Sequence, residues 1–364
     1  MKTYINNYAS HSCAGDTKAL MEAIYNKQTG ITIDNSFMKD TPEGLGKMEY
    51  DDFFVLLKGV VKEVLEASNL NDFSKTLLIV GSSVGGMAES EAHYFRDKNY
   101  KNINVSRHPI SVIAEELEDE FGFCDTRAIS TACTSSANAF LLAKRLMSVG
   151  AYDNILVVGA DALCYTTVCG FYALSVLSTK ECTPFNEGRE GMNVAEGIAA
   201  LLLQSKPNGD AIELKGVGAS SDAYHMTNPD PEAKGAVDCM QKALDDAGLE
   251  IADIDYINAH GTGTEANDRV EALAVEKLFG GATPVSSTKA ITGHTLGAAG
   301  ALEAIISCEV IKRNLVPPQT ALTKAENGSI NLPLEPLTKE VKFVISNSFA
   351  FGGNNTAVIL GGIS

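Results

Sequence analysis

Four side chains in this 364-residue sequence have the types and settings for covalent and electrostatic catalysis: Cys133, His260, Lys289 and His294. Cys133 stands in STACTSSANAF, where a short β-type run over 127–131 gives way to a helix rich in small residues. A thiol in a first helical turn meets free backbone N–H groups and the positive end of the helix dipole. Both favour the thiolate, which is the nucleophilic form, and Ser135 and Ser136 are placed to cap the helix. The same position also suits a thiol that only packs, because a small apolar side chain fits a crowded strand–helix turn. His260 follows the apolar run 255–259 in NAHGTGT, where Gly261 and Gly263 permit close backbone approach and Thr262 and Thr264 offer hydroxyls. Lys289 and His294 share STKAITGHTLGAAGALEA, and a fourth turn, NSFAFGGNN, carries the aromatic pair Phe349 and Phe351.

The elements that must position these turns follow from periodicity. Residues 52–67 have apolar pairs at 53/54, 56/57, 60/61 and 64/65, an amphipathic helical spacing. A buried strand over 77–80 then runs into GSSVGGM. That turn lacks the Lys-Ser/Thr ending of a phosphate loop and reads as a tight strand–helix connection. A helix near 110–120, the cysteine turn with its helix, and a strand over 154–159 give the β–α–β order of a parallel sheet. Residues 29–46 and 161–191 read as irregular, 197–203 as a strand, and KPNGD at 206–210 as a break. Beyond that break the order repeats: helix, acidic linker, buried strand, glycine turn and helix recur over 242–272 as they do over 63–90. Two similar α/β halves packed together bring equivalent turns to one seam, beyond the carboxyl ends of their strands.

Composition bounds the classes of partner. A formal charge of −17 argues against nucleic acid and anionic membrane surfaces, both of which are met with excess Lys and Arg. No apolar run is long enough to span a bilayer, and no N-terminal segment has the order of a signal peptide, so the chain reads as cytoplasmic. Its eight cysteines have no paired, zinc-like spacing and are expected to be reduced thiols, with no metal site. Lys58, Lys62, Lys144 and Arg145 are candidates for contacts with an acidic partner.

Taken together, TACTSSANA, SSDAYHMT, NAHGTGT, STKAITGHTLGAAGALEA and NSFAFGGNN resemble the elongating β-ketoacyl-[acyl carrier protein] synthases, Cys-His-His condensing enzymes of the thiolase superfamily. The resemblance runs in order from about residue 3 to 360. It implies an α/β, thiolase-like fold: two duplicated α/β halves in a five-layered αβαβα arrangement. One compact unit is expected, with the nucleophile in 1–205 and the histidines in 206–364, forming a homodimer or a heterodimer with a related subunit. The implied reaction is a decarboxylative Claisen condensation of an acyl thioester on Cys133 with malonyl-carrier protein, in fatty-acid or polyketide/polyene synthesis. Acyl carrier protein would be the partner, and no cofactor would be held by the enzyme itself, because substrates arrive on carrier phosphopantetheine.

By the same resemblance His260 and His294 stabilise the enolate. The N–H groups of Cys133 and Phe351 form an oxyanion hole, Lys289 supplies fixed positive charge, and Glu303 is its partner. Thr262 and Thr264 contact pantetheine, and Phe349 and Phe351 gate the acyl pocket. The sequence is shorter than the family between 86 and 133 and between 160 and 184, which puts acyl-chain preference in doubt, and it departs from the family at Asn186, Met192, Ala195 and Asn354, which puts the scaffold role there in doubt. The alternative from another class is a non-catalytic subunit resembling a chain-length factor, a kind that typically lacks the nucleophilic cysteine present here.

Overall fold

The computed structural model describes residues 1–363 apart from 39, 40, 69, 71 and 327. Ten strands of the large sheet, here numbered along the chain, are β1 (Tyr4–Ser12), β2 (Thr76–Gly81), β3 (Asp125–Ile129), β4 (Asn154–Asp161) and β5 (Gly197–Gln204), followed by β6 (Ile212–Ser221), β7 (Tyr256–Asn258), β8 (Val285–Ser286), β9 (Phe343–Phe349) and β10 (Asn354–Gly362). Their spatial order is β8-β7-β9-β10-β6-β1-β5-β4-β2-β3. Reading outward from the central pair, β1-β5-β4-β2-β3 mirrors β6-β10-β9-β7-β8, and the hydrogen-bond senses match as well. β2 runs parallel to β3 and β4, as β7 does to β8 and β9, while the inner strands are antiparallel. The repeat expected from the sequence is therefore a pseudo-two-fold in the sheet.

The helices of nine residues or more are α1 (Thr17–Tyr25), α2 (Phe53–Glu66), α3 (Met87–Asp97), α4 (Ser111–Phe121), α5 (Ser135–Ser148), α6 (Tyr165–Ala173), α7 (Lys234–Ala247), α8 (Glu265–Phe279) and α9 (Ala299–Arg313). They sort into layers by the period-two alternation of the strands. Leu78 and Val80 of β2 face Val61 of α2 and Ile113 of α4, whereas Leu77 and Ile79 point the other way, into the cluster of α5 and α9. In the second half Ile257 and Ile345 meet α7 and α8, and Tyr256 and Val344 turn inward. The result is five layers, with α5 and α9 in the middle.

That placement explains the composition of α9, whose residues 299–308 are all buried, because a helix covered on every side must be apolar or small except where a buried partner meets it, as Lys289 meets Glu303. The ladder joining the halves has only two paired positions, Tyr4 opposite Glu213 and Ile5 opposite Ile212. Hydrogen bonds net about 1 kcal/mol each, whereas burying Phe140, Met147, Leu302 and Ile305 contributes about 1.5–3 kcal/mol per side chain. Packing through the central helices, rather than strand pairing, holds the halves together.

Two stretches expected to be irregular are ordered. Residues 161–191 contain α6, and 29–46 contain the strands Thr32–Asp34 and Glu43–Gly46, which join Val194–Ala195 in a three-stranded sheet. Such short strands rest on pairing with a distant segment and leave no local period to read. No helix among the described residues is long and apolar enough to cross a membrane.

Candidate active site

Equivalent turns of the two halves meet, as the duplication requires. One cavity of about 320 Å³ is lined by Cys133, His260, His294, Thr262, Thr264, Phe349 and Phe351. Each occupies the turn after a strand: Cys133 after β3, His260 after β7, Lys289 and His294 after β8, and the aromatic pair at the end of β9.

The nucleophile turn is a sharp elbow. Ala132 has φ +54°, a left-handed conformation that costs a non-glycine residue roughly 1–3 kcal/mol and persists only where the surroundings impose it. They do so here, since the Ala132 carbonyl accepts from Ser135 Oγ at 2.6 Å and from Ser83 Oγ at 2.9 Å, while Thr131 N donates to Ser135 Oγ at 3.0 Å. The sequence expectation of Ser135 and Ser136 as helix caps is corrected accordingly. Ser135 ties the elbow, and Ser136 Oγ accepts from Ala301 N of α9 at 2.9 Å, joining the two central helices.

The expectation that this turn favours the thiolate also needs correction. The Cys133 thiol is buried, and burial pushes it up to about 12, although Lys289 and the Phe351 N–H directed at the sulfur pull it down. Desolvation of the charged form outweighs the dipole and the lysine. At pH 8 the resting thiol is therefore almost wholly protonated. Alkylation of Cys133 by iodoacetamide, followed by peptide mass, is therefore expected to rise about tenfold per pH unit from 7 to 9. A plateau near 8.5 would show an ordinary thiol.

Both histidines are buried and held neutral well below the usual imidazole range, first by burial and then by the Lys289 charge. Their tautomers follow from their partners. His294 Nδ1 accepts from Leu296 N at 3.2 Å, and His260 Nδ1 lies 3.5 Å from Lys289 Nζ, which can only donate. In each ring Nδ1 is the acceptor, so the proton sits on Nε2. The backbone of His294 is clamped as well, its N–H donating to Asn193 O at 2.7 Å and its carbonyl accepting from Ala195 N at 2.9 Å. The rings stand edge to face, 5.1 Å apart, with Phe349 6.1 Å from His260.

Lys289 donates to His260 O at 2.6 Å and forms an ion pair with Glu303, both side chains being almost wholly buried. Thr262 and Thr264 share a hydroxyl hydrogen bond of 2.9 Å at the cavity mouth. The Phe351 ring rests against Phe171 of α6, with centroids 5.9 Å apart, and Gly352 and Gly353 supply the left-handed backbone that turns the chain there.

Several positioning residues escaped the sequence reading. Glu271 accepts from His260 N at 2.8 Å and Gly261 N at 2.7 Å, and burial pushes its carboxyl up to about 7. Asp268 accepts from Gly263 N and Phe185 N and pairs with Arg189. The signal was present: Asp268, Glu271 and Val275 share one helical face, and acids on an apolar face imply buried partners. Asn186 accepts from Thr323 N and Lys324 N at 2.9 Å, so that departure leaves a working tie. Of the four basic candidates, Lys58, Lys62 and Lys144 are already paired, with Glu116, Glu66 and Asp246.

Known proteins resemble this chain along most of its length. Residues 8–208 match the family described as beta-ketoacyl synthase, N-terminal domain, and 211–323 its C-terminal domain. A 3-oxoacyl-[acyl-carrier-protein] synthase 2 of Coxiella burnetii is 40% identical over 311 residues, covering 77% of this chain and 74% of the relative. The protein of that name in Staphylococcus aureus is 34% identical over 328 residues, covering 84% and 79%. Among solved structures, a chain of the complex of a ketosynthase with its chain length factor from Xenorhabdus doucetiae superposes with a TM-score of 0.92 at 30% identity, covering 100% of this chain and 98% of that one. A beta-ketoacyl synthase from Burkholderia phymatum gives 0.89 at 25% identity, with both chains covered in full.

Proposed function

The chain belongs to the beta-ketoacyl synthase family of condensing acyltransferases, and from that membership we propose that it is a 3-oxoacyl-[acyl carrier protein] synthase working through Cys133. The observation that carries this reading is one cavity lined by Cys133 and by two neutral histidines whose Nε2–H groups have no acceptor among the described residues. The thiol of Cys133 attacks an acyl thioester on carrier phosphopantetheine. The carbon–sulfur bond to pantetheine breaks, and the cysteine proton passes to the departing pantetheine sulfur. The N–H groups of Cys133 and Phe351 receive the oxyanion of the tetrahedral intermediate.

A malonyl group on a second carrier then loses carbon dioxide. Charge develops on its thioester oxygen, where the Nε2–H groups of His260 and His294 stabilise the enolate without giving up a full proton. The enolate carbon attacks the Cys133 thioester, the new carbon–carbon bond forms, and the cysteine sulfur leaves as a thiolate that takes a proton from solvent water. Lys289, kept in place by Glu303, holds the polarity of the site fixed. Thr262 and Thr264 suit the pantetheine arm, and Phe349 and Phe351 suit a gate over the acyl chain.

Both the pantetheine and the reacting groups arrive with the carriers, so no cofactor is assigned to the enzyme. We place the chain in the cytoplasm as one compact unit with halves 1–205 and 206–364, a setting supported by its eight free cysteines. A homodimer is the simplest assembly. The likeness to the Xenorhabdus complex keeps open a heterodimer with a related subunit, but Cys133 and both histidines favour the catalytic role over a chain-length-factor role. The test is turnover: purified protein, a panel of acyl carriers of graded length and malonyl carrier should yield a 3-oxoacyl carrier two carbons longer, read by intact mass. Carriers left unchanged across the whole panel would overturn the assignment.

A further inference from the structure

Asp161, at the end of β4, takes no part in the chemistry above, yet it is completely buried. Its carboxylate collects donors from both halves of the molecule. From the turn after β2 it accepts from Ser82 Oγ at 2.5 Å, Ser83 N at 3.0 Å and Val84 N at 2.8 Å; from the turn before α9 it accepts from Gly297 N at 2.6 Å. Two of the donor residues, Ser83 and Gly297, lead on to the catalytic groups. Ser83 Oγ holds the carbonyl of Ala132, the left-handed residue preceding Cys133. Gly297 follows Leu296, itself left-handed at φ +52°, whose N–H fixes the tautomer of His294.

The approach is made possible by glycine. A Cβ at position 297 would lie 2.8 Å from Asp161 Oδ2 and 2.7 Å from Ser83 N, which leaves room for no other residue without a backbone shift. We propose that Asp161 is the positioning residue that couples the two half-reactions, setting the nucleophile elbow through Ser83 and the His294 donor through Gly297. Burial pushes the Asp161 carboxyl up to about 6, while the four donors pull the other way, as expected of a carboxylate kept for its acceptor capacity. The shape suits the task, because a carboxylate offers two acceptor oxygens and several lone pairs, whereas an amide offers one oxygen and turns an N–H₂ toward backbone donors.

This proposal rests on the condensing function proposed above, and its test separates the two. Three quantities are measured on wild type, Asp161→Asn and Ser83→Ala: the rate of Cys133 acylation by octanoyl carrier, the rate of carbon dioxide release from malonyl carrier, and the ¹⁵N shifts of His294 in the free protein. In folded Asp161→Asn both rates should fall at least tenfold, and the His294 shifts should move from the pure Nε2–H tautomer toward a mixture. Ser83→Ala, which cuts only the arm to the elbow, should slow acylation at least threefold and leave decarboxylation and the tautomer unchanged. A folded Asp161→Asn that keeps either rate within twofold, or a Ser83→Ala that slows both rates equally, overturns the proposal. If Asp161→Asn does not fold, the Ser83→Ala split decides. If the wild type takes no acyl group and releases no carbon dioxide, the condensing function fails, and the His294 shifts still judge Asp161.

Discussion

Cys133→Ala should abolish the acyl adduct seen by intact mass after incubation with acyl carriers, and lower condensation by on the order of 10⁴-fold or more. The size follows from what is lost. Without the sulfur there is no covalent intermediate, and the two carriers would have to meet in one site for direct transfer. The substitution is otherwise gentle, since it removes one buried sulfur from the wall of a cavity and leaves the elbow bonds of Ser83 and Ser135 to the Ala132 carbonyl in place. The folded state should therefore survive, which can be checked by an unchanged unfolding transition. An undiminished adduct in the alanine variant would place the acyl group on another residue, with exposed Cys124 the first to test.

The second large effect separates the steps. His260→Ala and His294→Ala should each slow decarboxylation of malonyl carrier by on the order of 10²–10³-fold, the usual cost of one lost donor to a developing oxyanion, while Cys133 still accepts an acyl group. The pH dependence follows with its sign. Both rings are held below the ordinary imidazole value by burial and by Lys289, so they remain neutral as pH falls through 6.5. Decarboxylation by the Cys133→Ala protein should then be flat from about pH 8 to 6. An acid limb centred near 6.5 would mean that one ring titrates as though in water, and the fixed-donor account of the two histidines would fail.

Much of this arrangement was legible before any coordinates. The recurrence of strand, glycine turn and helix at a long interval already implied two halves, and the strand order bears that out position by position. Cys133, His260, Lys289 and His294 were found because each stands in a turn whose neighbours are glycines or small residues. What stayed hidden has a common cause. Asp161, Asp268 and Glu271 act by accepting from backbone N–H groups, and backbone donors carry no residue identity. Their partners lie in segments up to 136 positions away, as for Asp161 and Gly297. The ionisation of Cys133 was misjudged for a related reason: the helix dipole is local and visible in sequence, whereas burial is set by everything that packs around it.

The central seam has a consequence for how such a protein can change. A Cβ at Gly300 would lie 2.8 Å from Ala137 Cβ, and one at Gly159 would lie 2.9 Å from Ala301 Cβ and 3.0 Å from Ser136 Cβ. These glycines act as a spacing gauge, Gly300 fixing the separation of α5 from α9 and Gly159 that of both helices from β4, to within the width of a methyl group. Material can be trimmed from the rim, or α6 reshaped to admit another acyl chain, without touching the gauge, so substrate range and reaction chemistry are free to drift separately.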